Sequence, residues 1–323
     1  MTPAIAVREL TRRFGALTAV DALTFDVPPG SLFGLVGPDG AGKTTTLRML
    51  AGVLRPTAGD AEILGVSVAR ESEAVKHHIA YMAQRFGLYD DLTVRENIEF
   101  YADLYQVPKA ERPARLERLY RFSSLGPFED RPAGKLSGGM KQKLSLCCAL
   151  IHHPQVLLLD EPTFGVDPIS QRDLWLILHE MVASGVTVVV STAYMDEAER
   201  CDRVALLDKG RVAALDTPEA LQRSLPVTVM AVRTGDPRRA AAVLAGAPCV
   251  ERAALFGDVV HVSLANVARD CPEARAVLEA AGMAVLGVEE IVPSMEDVFI
   301  EKTGGSAHEG TGVPAYRRAG GLG

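Results

Sequence analysis

The sequence predicts an α/β protein with parallel strands, followed by a small α+β domain. Three observations predict it. From residue 1 to about 225, short apolar runs (SLFGLV, VLLL, VTVVV, RVALL) alternate with longer helical patterns, the spacing expected of strands joined by helical crossovers. One of those runs, SLFGLV, passes through GPDGAGKTTT and its three glycines into the helical pattern LRMLAGVL. From Val227 the texture changes to shorter strands and helices in another order.

At 323 residues, 48% of them hydrophobic and 23% charged, the chain has room for one large domain and one small one. We assign the first to residues 1–225. Within it, the charged and periodic stretch from Arg95 to about Ser124 reads as a mostly helical insertion, part of a helical subdomain expected over about 86–150. The second domain, 226–303, reads in order as strand VTVMAVRT, helix PRRAAAVLAG, strands VERAALF and VVHVSLA, helix PEARAVLEAAG, strand AVLGVEEIV and a last helix SMEDVFIEKT. The order βαββαβ is that of a ferredoxin-like domain. Residues 304–323 are glycine-rich without apolar periodicity and are expected to form a disordered tail.

The formal net charge of -7 argues against a general DNA-coating role, and no nucleic-acid partner is expected. The opening MTPAIAVREL lacks a basic segment followed by an apolar core, and no run approaches the roughly 18 apolar residues of a membrane span. The chain therefore reads as neither secreted nor membrane-spanning. Five cysteines without a CxxC pair fit free thiols packed as small hydrophobes. The adjacent histidines His77 and His78, and His152 and His153, diverge on a helix and make no metal site by themselves.

Three motifs carry chemistry. Gly37 to Thr44 fit G-x-x-x-x-G-K-[ST], in which backbone N–H groups and a helix N-terminus curl round phosphate oxygens. Lys43 would neutralise β and γ oxygens, and Thr44 would offer its hydroxyl to Mg²⁺. In VLLLDEP a buried strand ends in two carboxylates: Asp160 placed for the Mg²⁺ shell, Glu161 to orient or deprotonate a water. Acids at the ends of parallel strands are common in α/β proteins, so this pair is weak alone. In LSGGMKQKLSLCCALIHHP, Ser137, Gly138 and Gly139 precede a helical pattern, as a second anion site or as a plain N-cap.

GPDGAGKTT, LSGGMKQK and VLLLDEPTFGVDP, in this order, resemble the nucleotide-binding subunit of an ATP-binding cassette (ABC) transporter. The resemblance implies a P-loop ABC ATPase core with a helical subdomain, cofactors ATP and Mg²⁺, and ATP contacts from Gly37, Pro38, Asp39, Gly40, Ala41, Gly42, Lys43, Thr44 and Thr45. It implies that Gln84, in YMAQRFGLYDDLTVREN, touches Mg²⁺ and the lytic water, and that the segment from Phe86 to Tyr101 contacts the membrane partner. Phe14 would stack on adenine, the alternative being a core phenylalanine. Ser137 to Gly139 would act across the interface with a second cassette, identical or related, and Asp167 in GVDP would lie in the loop that crosses to it. The implied partner is an integral membrane permease, with the chain cytoplasmic and peripheral on the inner face of the cell membrane. The ending VPSMEDVFIEKT resembles the C-terminal module of the daunorubicin-resistance type of exporter ATPase, which points to export.

One family position departs. Where the resemblance implies a histidine on the γ-phosphate, STAYMDEAER carries Ala193, so hydrolysis is expected to be weakened while binding is kept. The rival reading is a non-transport member of the same superfamily, a conformational switch on DNA or ribosomes. Such proteins usually carry a long coiled-coil insertion or two cassettes, and here there is neither heptad run nor second GxxxxGK[ST].

Overall fold

The computed structural model describes residues 2–84 and 87–304 and the backbone of 315–317. The chain divides into two compact units, Met1–Leu215 and Asp216–Gly323.

The elements of the first unit are β1 (Ile5–Phe14), β2 (Leu17–Val27), β3 (Leu32–Val36), α1 (Lys43–Leu50), β4 (Ala58–Ile63), β5 (Val66–Ser67), α2 (Ser72–Lys76) and β6 (Ile79–Met82). They continue with α3 (Val94–Leu104), α4 (Arg112–Ser123), α5 (Gly138–Leu150), β7 (Val156–Asp160), α6 (Pro168–Ala183), β8 (Thr187–Thr192), α7 (Met195–Ala198), β9 (Arg203–Asp208) and β10 (Arg211–Asp216). One sheet has the order β10-β9-β3-β8-β7-β6, and β9, β3, β8, β7 and β6 run parallel in it. Its inner strands β3, β7 and β8 are buried along their whole length, which is why they read as near-continuous apolar runs.

A second sheet, antiparallel and of order β2-β1-β4-β5, accompanies the parallel one. Register shifts along β1 break its period-2 signal, so VRELTRRF does not announce a strand. Phe25 of β2 stacks on Phe33 of β3, ring centroids 5.3 Å apart, and puts both sheets in one core. The helical insertion is present as α3, α4 and α5. Thr93 starts α3 with a reciprocal capping box to Glu96, and α3 and α4 pack on α5.

The second unit begins with α8 (Pro218–Arg223), which the sequence boundary at 225 had placed with the first. It continues with β11 (Thr228–Thr234), α9 (Pro237–Ala245), β12 (Arg252–Phe256), β13 (Val259–Leu264), α10 (Val267–Ala280), β14 (Val285–Ile291), α11 (Met295–Thr303) and β15 (Ala315–Arg317). The βαββαβ order holds, in an antiparallel sheet β14-β11-β13-β12-β15. Val260 and Val262 of β13 join a core with Leu244 of α9 and Leu278 of α10. His261 between them points to the opposite face, where its Nδ1 lies 3.1 Å from Asp297 of α11, and Arg252 pairs with Glu301 of α11 at 2.6 Å. Helices therefore cover both faces, and α8 packs on α11.

The strand at 315–317 corrects the expectation of a structureless tail at that point: its backbone pairs with β12, whose edge would otherwise be open. The remainder of the tail from Gly305 lies outside the described residues. The cysteines are free; Cys147 and Cys148 of α5 and Cys201 are buried, whereas Cys271 is partly exposed. Burial pushes the Cys147 and Cys201 thiols up to about 12.

Candidate functional site

The site lies at the carboxyl ends of β3, β7 and β8, where parallel α/β sheets place their ligands. After β3, residues Gly37 to Gly42 form a loop that enters α1 at Lys43. Gly42 has φ +101°, and a Cβ there would lie 2.7 Å from the carbonyl oxygen of Ala19, so only glycine fits. The Gly37 N–H donates to the Thr192 carbonyl at 3.2 Å, tying the loop to the end of β8. Lys43 is buried; its Nζ donates to the carbonyls of Gly37 (2.7 Å) and Pro38 (3.1 Å) and lies 3.4 Å from Glu161 Oε1.

Asp160 ends β7, buried. Its Oδ1 accepts from Thr44 Oγ1 at 2.9 Å and from Ser191 Oγ at 2.8 Å, and its Oδ2 lies 3.4 Å from the Tyr81 hydroxyl. Burial, then the charge of Asp160, pushes that phenol up to about 12. Glu161 follows in the left-handed region at φ 49°, strained for a non-glycine residue, and its N–H is held by the Ser191 carbonyl at 3.1 Å. Its Oε2 accepts from Gln84 Nε2 at 2.8 Å. The chain thus brings together Lys43, Thr44, Gln84, Asp160 and Glu161 from three separate stretches of sequence, the start of α1, the end of β6 and the end of β7.

The donor set suits Mg²⁺. Thr44 Oγ1 and Asp160 Oδ1 are hard oxygens 2.9 Å apart, and the Gln84 amide nitrogen is bonded to the neighbouring acid Glu161. Among the described residues no group of three or more His, Cys, Asp or Glu forms.

Ser137 is an N-cap in this chain: its Oγ accepts from Met140 N at 3.3 Å at the start of α5. Asp167 caps α6 in the same way, its Oδ1 accepting from Ser170 N at 2.9 Å, and that N–H holds its carboxyl below the usual range. The two helix starts meet closely, since a Cβ on Gly139 would lie 2.1 Å from Ser170 Oγ. Among the described residues no hydrogen bond joins Ser137–Gly139 to the Gly37–Thr45 loop. Phe14, at the end of β1, is 45% exposed, so it is not a core phenylalanine; the Arg12 guanidinium lies 4.5 Å from its ring centroid.

Ala193 follows β8 directly. The turn around it is fixed by Thr192, whose hydroxyl donates to buried Glu197 at 2.6 Å and accepts from Tyr194 N at 3.0 Å. Glu197 also accepts from Trp175 Nε1 at 3.3 Å. Sequence reasoning missed Ser191, Tyr81 and this Thr192–Glu197 link. The one available signal was the polar pair closing the apolar strand TVVVST.

A glycine loop gripping its own lysine, beside a buried acid joined to a threonine hydroxyl and a second acid joined to a glutamine, defines a P-loop nucleotide-binding cassette. Comparison places that cassette: the chain belongs to the ABC transporter family. The family's sequence pattern, described as ABC transporter, matches residues 20–164. The chain is 42% identical to the Probable multidrug ABC transporter ATP-binding protein YbhF of Escherichia coli (strain K12), over 94% of this chain and 52% of that protein. It thus spans about half the length of that relative. It is 35% identical to the Nod factor export ATP-binding protein I of Ralstonia nicotianae, over 94% of each chain. Among solved structures, an ATP binding subunit of an ABC transporter superposes with a TM-score of 0.62 at 32% identity, covering 69% of this chain and 92% of that one. The cassette MJ0796, a dimer bound to ADP and Pi, superposes with a TM-score of 0.60 at 25% identity, covering 66% and 98%.

Proposed function

We propose that this chain is the ATP-binding subunit of an exporter, in which two cassettes close around Mg-ATP and thereby move a separate membrane permease. The observation that carries the reading is the linked cluster of Lys43, Thr44, Gln84, Asp160 and Glu161. In it Lys43 exchanges its loop carbonyls for β and γ oxygens, Glu161 orients or deprotonates water, and Gln84 links that acid to the segment leading toward α3. Mg²⁺, held by Thr44 and Asp160, would neutralise phosphate charge. Exposed Phe14 offers a face to adenine. Ser137, Gly138 and Gly139 of a second cassette would complete the site, and Asp167 would approach that cassette. The dimeric solved relative supports this pairing.

Export follows from the relatives named for multidrug transport and Nod factor export. Among the described residues no helix is long and apolar enough to cross a membrane; the relatives named as ATP-binding proteins of transporters support a separate spanning partner. The segment from Phe86 to Tyr101 would contact it. Phe86 lies outside the described residues, but Tyr89 and Phe100 are exposed and pack edge to face at 4.7 Å, an aromatic surface within that segment. This would hold the chain on the inner face of the cell membrane.

The test is Glu161→Gln. Mg-ATP binding should persist, turnover should stop, and Mg-ATP should shift the purified variant from monomer to dimer in size-exclusion chromatography. Unchanged turnover would remove Glu161 from its role, and a strictly monomeric variant would remove the shared site.

A further inference from the structure

A cavity of about 250 Å³ opens between α4, the end of α5 and the turn from α6 into β8. Gln155 and Val186, which border it, precede β7 and β8, so it lies at the amino ends of the strands, the opposite edge of the sheet from the phosphate loop. Its floor is apolar, built from Leu119, Leu150 and Met181. Its rim carries Arg115, Arg118 and His153, and no Asp or Glu lines it.

Arg115 and Arg118 stand three residues apart on one face of α4, an unfavourable like-charge spacing on a helix. Glu111 pairs with Arg115 from outside the cavity, and an Arg115 guanidinium nitrogen donates to the Ile151 carbonyl at 2.8 Å. For Arg118 there is no carboxylate within ion-pair distance among the described residues. Partial burial, and after it the charges of Arg115 and Arg118, hold His153 below its usual range, so it favours the neutral form and the rim's positive charge comes from the two arginines. Nothing in the nucleotide site uses these groups.

We propose that this cavity binds a small single-tailed anionic amphiphile, its carboxylate or phosphate head on Arg115 and Arg118 and its alkyl tail on the Leu119–Met181 floor. The planar guanidinium fork suits either head, and the apolar floor favours a tailed anion over a bare one. The volume falls just under the roughly 300–1,000 Å³ of drug-sized sites, which limits the tail to medium length. A bound molecule would bridge α4 of the helical insertion to the α6–β8 turn of the core.

The experiment is calorimetric titration of the full chain with octanoate, octyl phosphate, octanol and inorganic phosphate, each below its aggregation threshold. Saturable 1:1 binding is expected for octanoate, octyl phosphate or both, the preferred one identifying the head, with at least tenfold weaker binding of octanol and phosphate. Arg118→Ala should weaken the octyl anion at least tenfold while its Mg-ATP affinity stays at the parent level, and Arg118→Lys should fall between. Failure of both octyl anions to saturate, equal binding of inorganic phosphate alone, or indifference to Arg118→Ala would each overturn the proposal.

Discussion

The ammonium of Lys43 has three oxygen neighbours within the protein, two loop carbonyls and Glu161, so a phosphate must replace bonds rather than add them. Hydrogen bonds to charged groups contribute about 1.5–3 kcal/mol each. We therefore predict that Lys43→Ala weakens Mg-ATP binding on the order of ten- to a hundredfold in an equilibrium titration; retained affinity would show that the backbone loop alone holds the phosphates. Ala193 calls for the opposite experiment. Its methyl cannot donate to a γ-phosphate oxygen, although Thr192 and Glu197 hold its turn against the loop. By analogy with the loss of one oxyanion donor, Ala193→His should raise steady-state ATPase by roughly a hundred- to a thousandfold. A brisk parent left unchanged by the substitution would refute a missing switch. Lys43, Thr44, Asp160 and Glu161 were legible because each sits in a contiguous motif whose spacing the chemistry dictates. Ser191 and Tyr81 were not, because their contact with Asp160 exists only once β8 and β6 lie beside β7.

At the scale of elements, the junction of α5 with β6 is held by a histidine that resists protonation. His152 follows α5, stacks on Tyr105 after α3 at 3.9 Å, and donates from Nε2 to the Ile79 carbonyl of β6 at 3.0 Å. Its Nδ1 is buried without a partner, so a proton added there would have no acceptor. Burial accordingly lowers its proton affinity in the native state. The unfolded chain then binds more protons between the depressed native value and the ordinary one near 6.5, and stability rises with pH across that window. We predict that the urea midpoint falls as pH drops from 7 to 5.5, and that His152→Gln flattens the fall. A slope unchanged in the variant would assign it to other groups. The elements themselves were unequally legible. The inner parallel strands and the βαββαβ series announced themselves by unbroken or alternating apolar runs. The antiparallel β1 and β2 did not, because register shifts scatter their buried positions.

For the whole molecule, the phosphate chemistry lies in the first unit alone, and the second has a separate core of its own. We propose that the second serves assembly or regulation. A chain cut after Asp216, which keeps β10 whole, should fold and bind Mg-ATP as the full chain does. A chain cut at 225 retains α8 without α11, its packing partner, and should melt no higher than the shorter one. Aggregation of both would mean that the units depend on each other to fold. The buried thiols add a clock to this arrangement. Only a thiolate reacts quickly with an alkylating reagent, and Cys147, Cys148 and Cys201 are both shielded and held as neutral thiols, whereas Cys271 is partly open. Under native conditions a reagent should modify Cys271 first. Cys147 and Cys148, both on α5, should follow at a rate set by how often the helical insertion opens, and Cys201 at the rate of opening around the parallel sheet. Mass spectrometry of timed samples would then time these breathing motions separately, and slower modification of Cys147 and Cys148 with Mg-ATP would reveal nucleotide binding as a stiffening of the insertion.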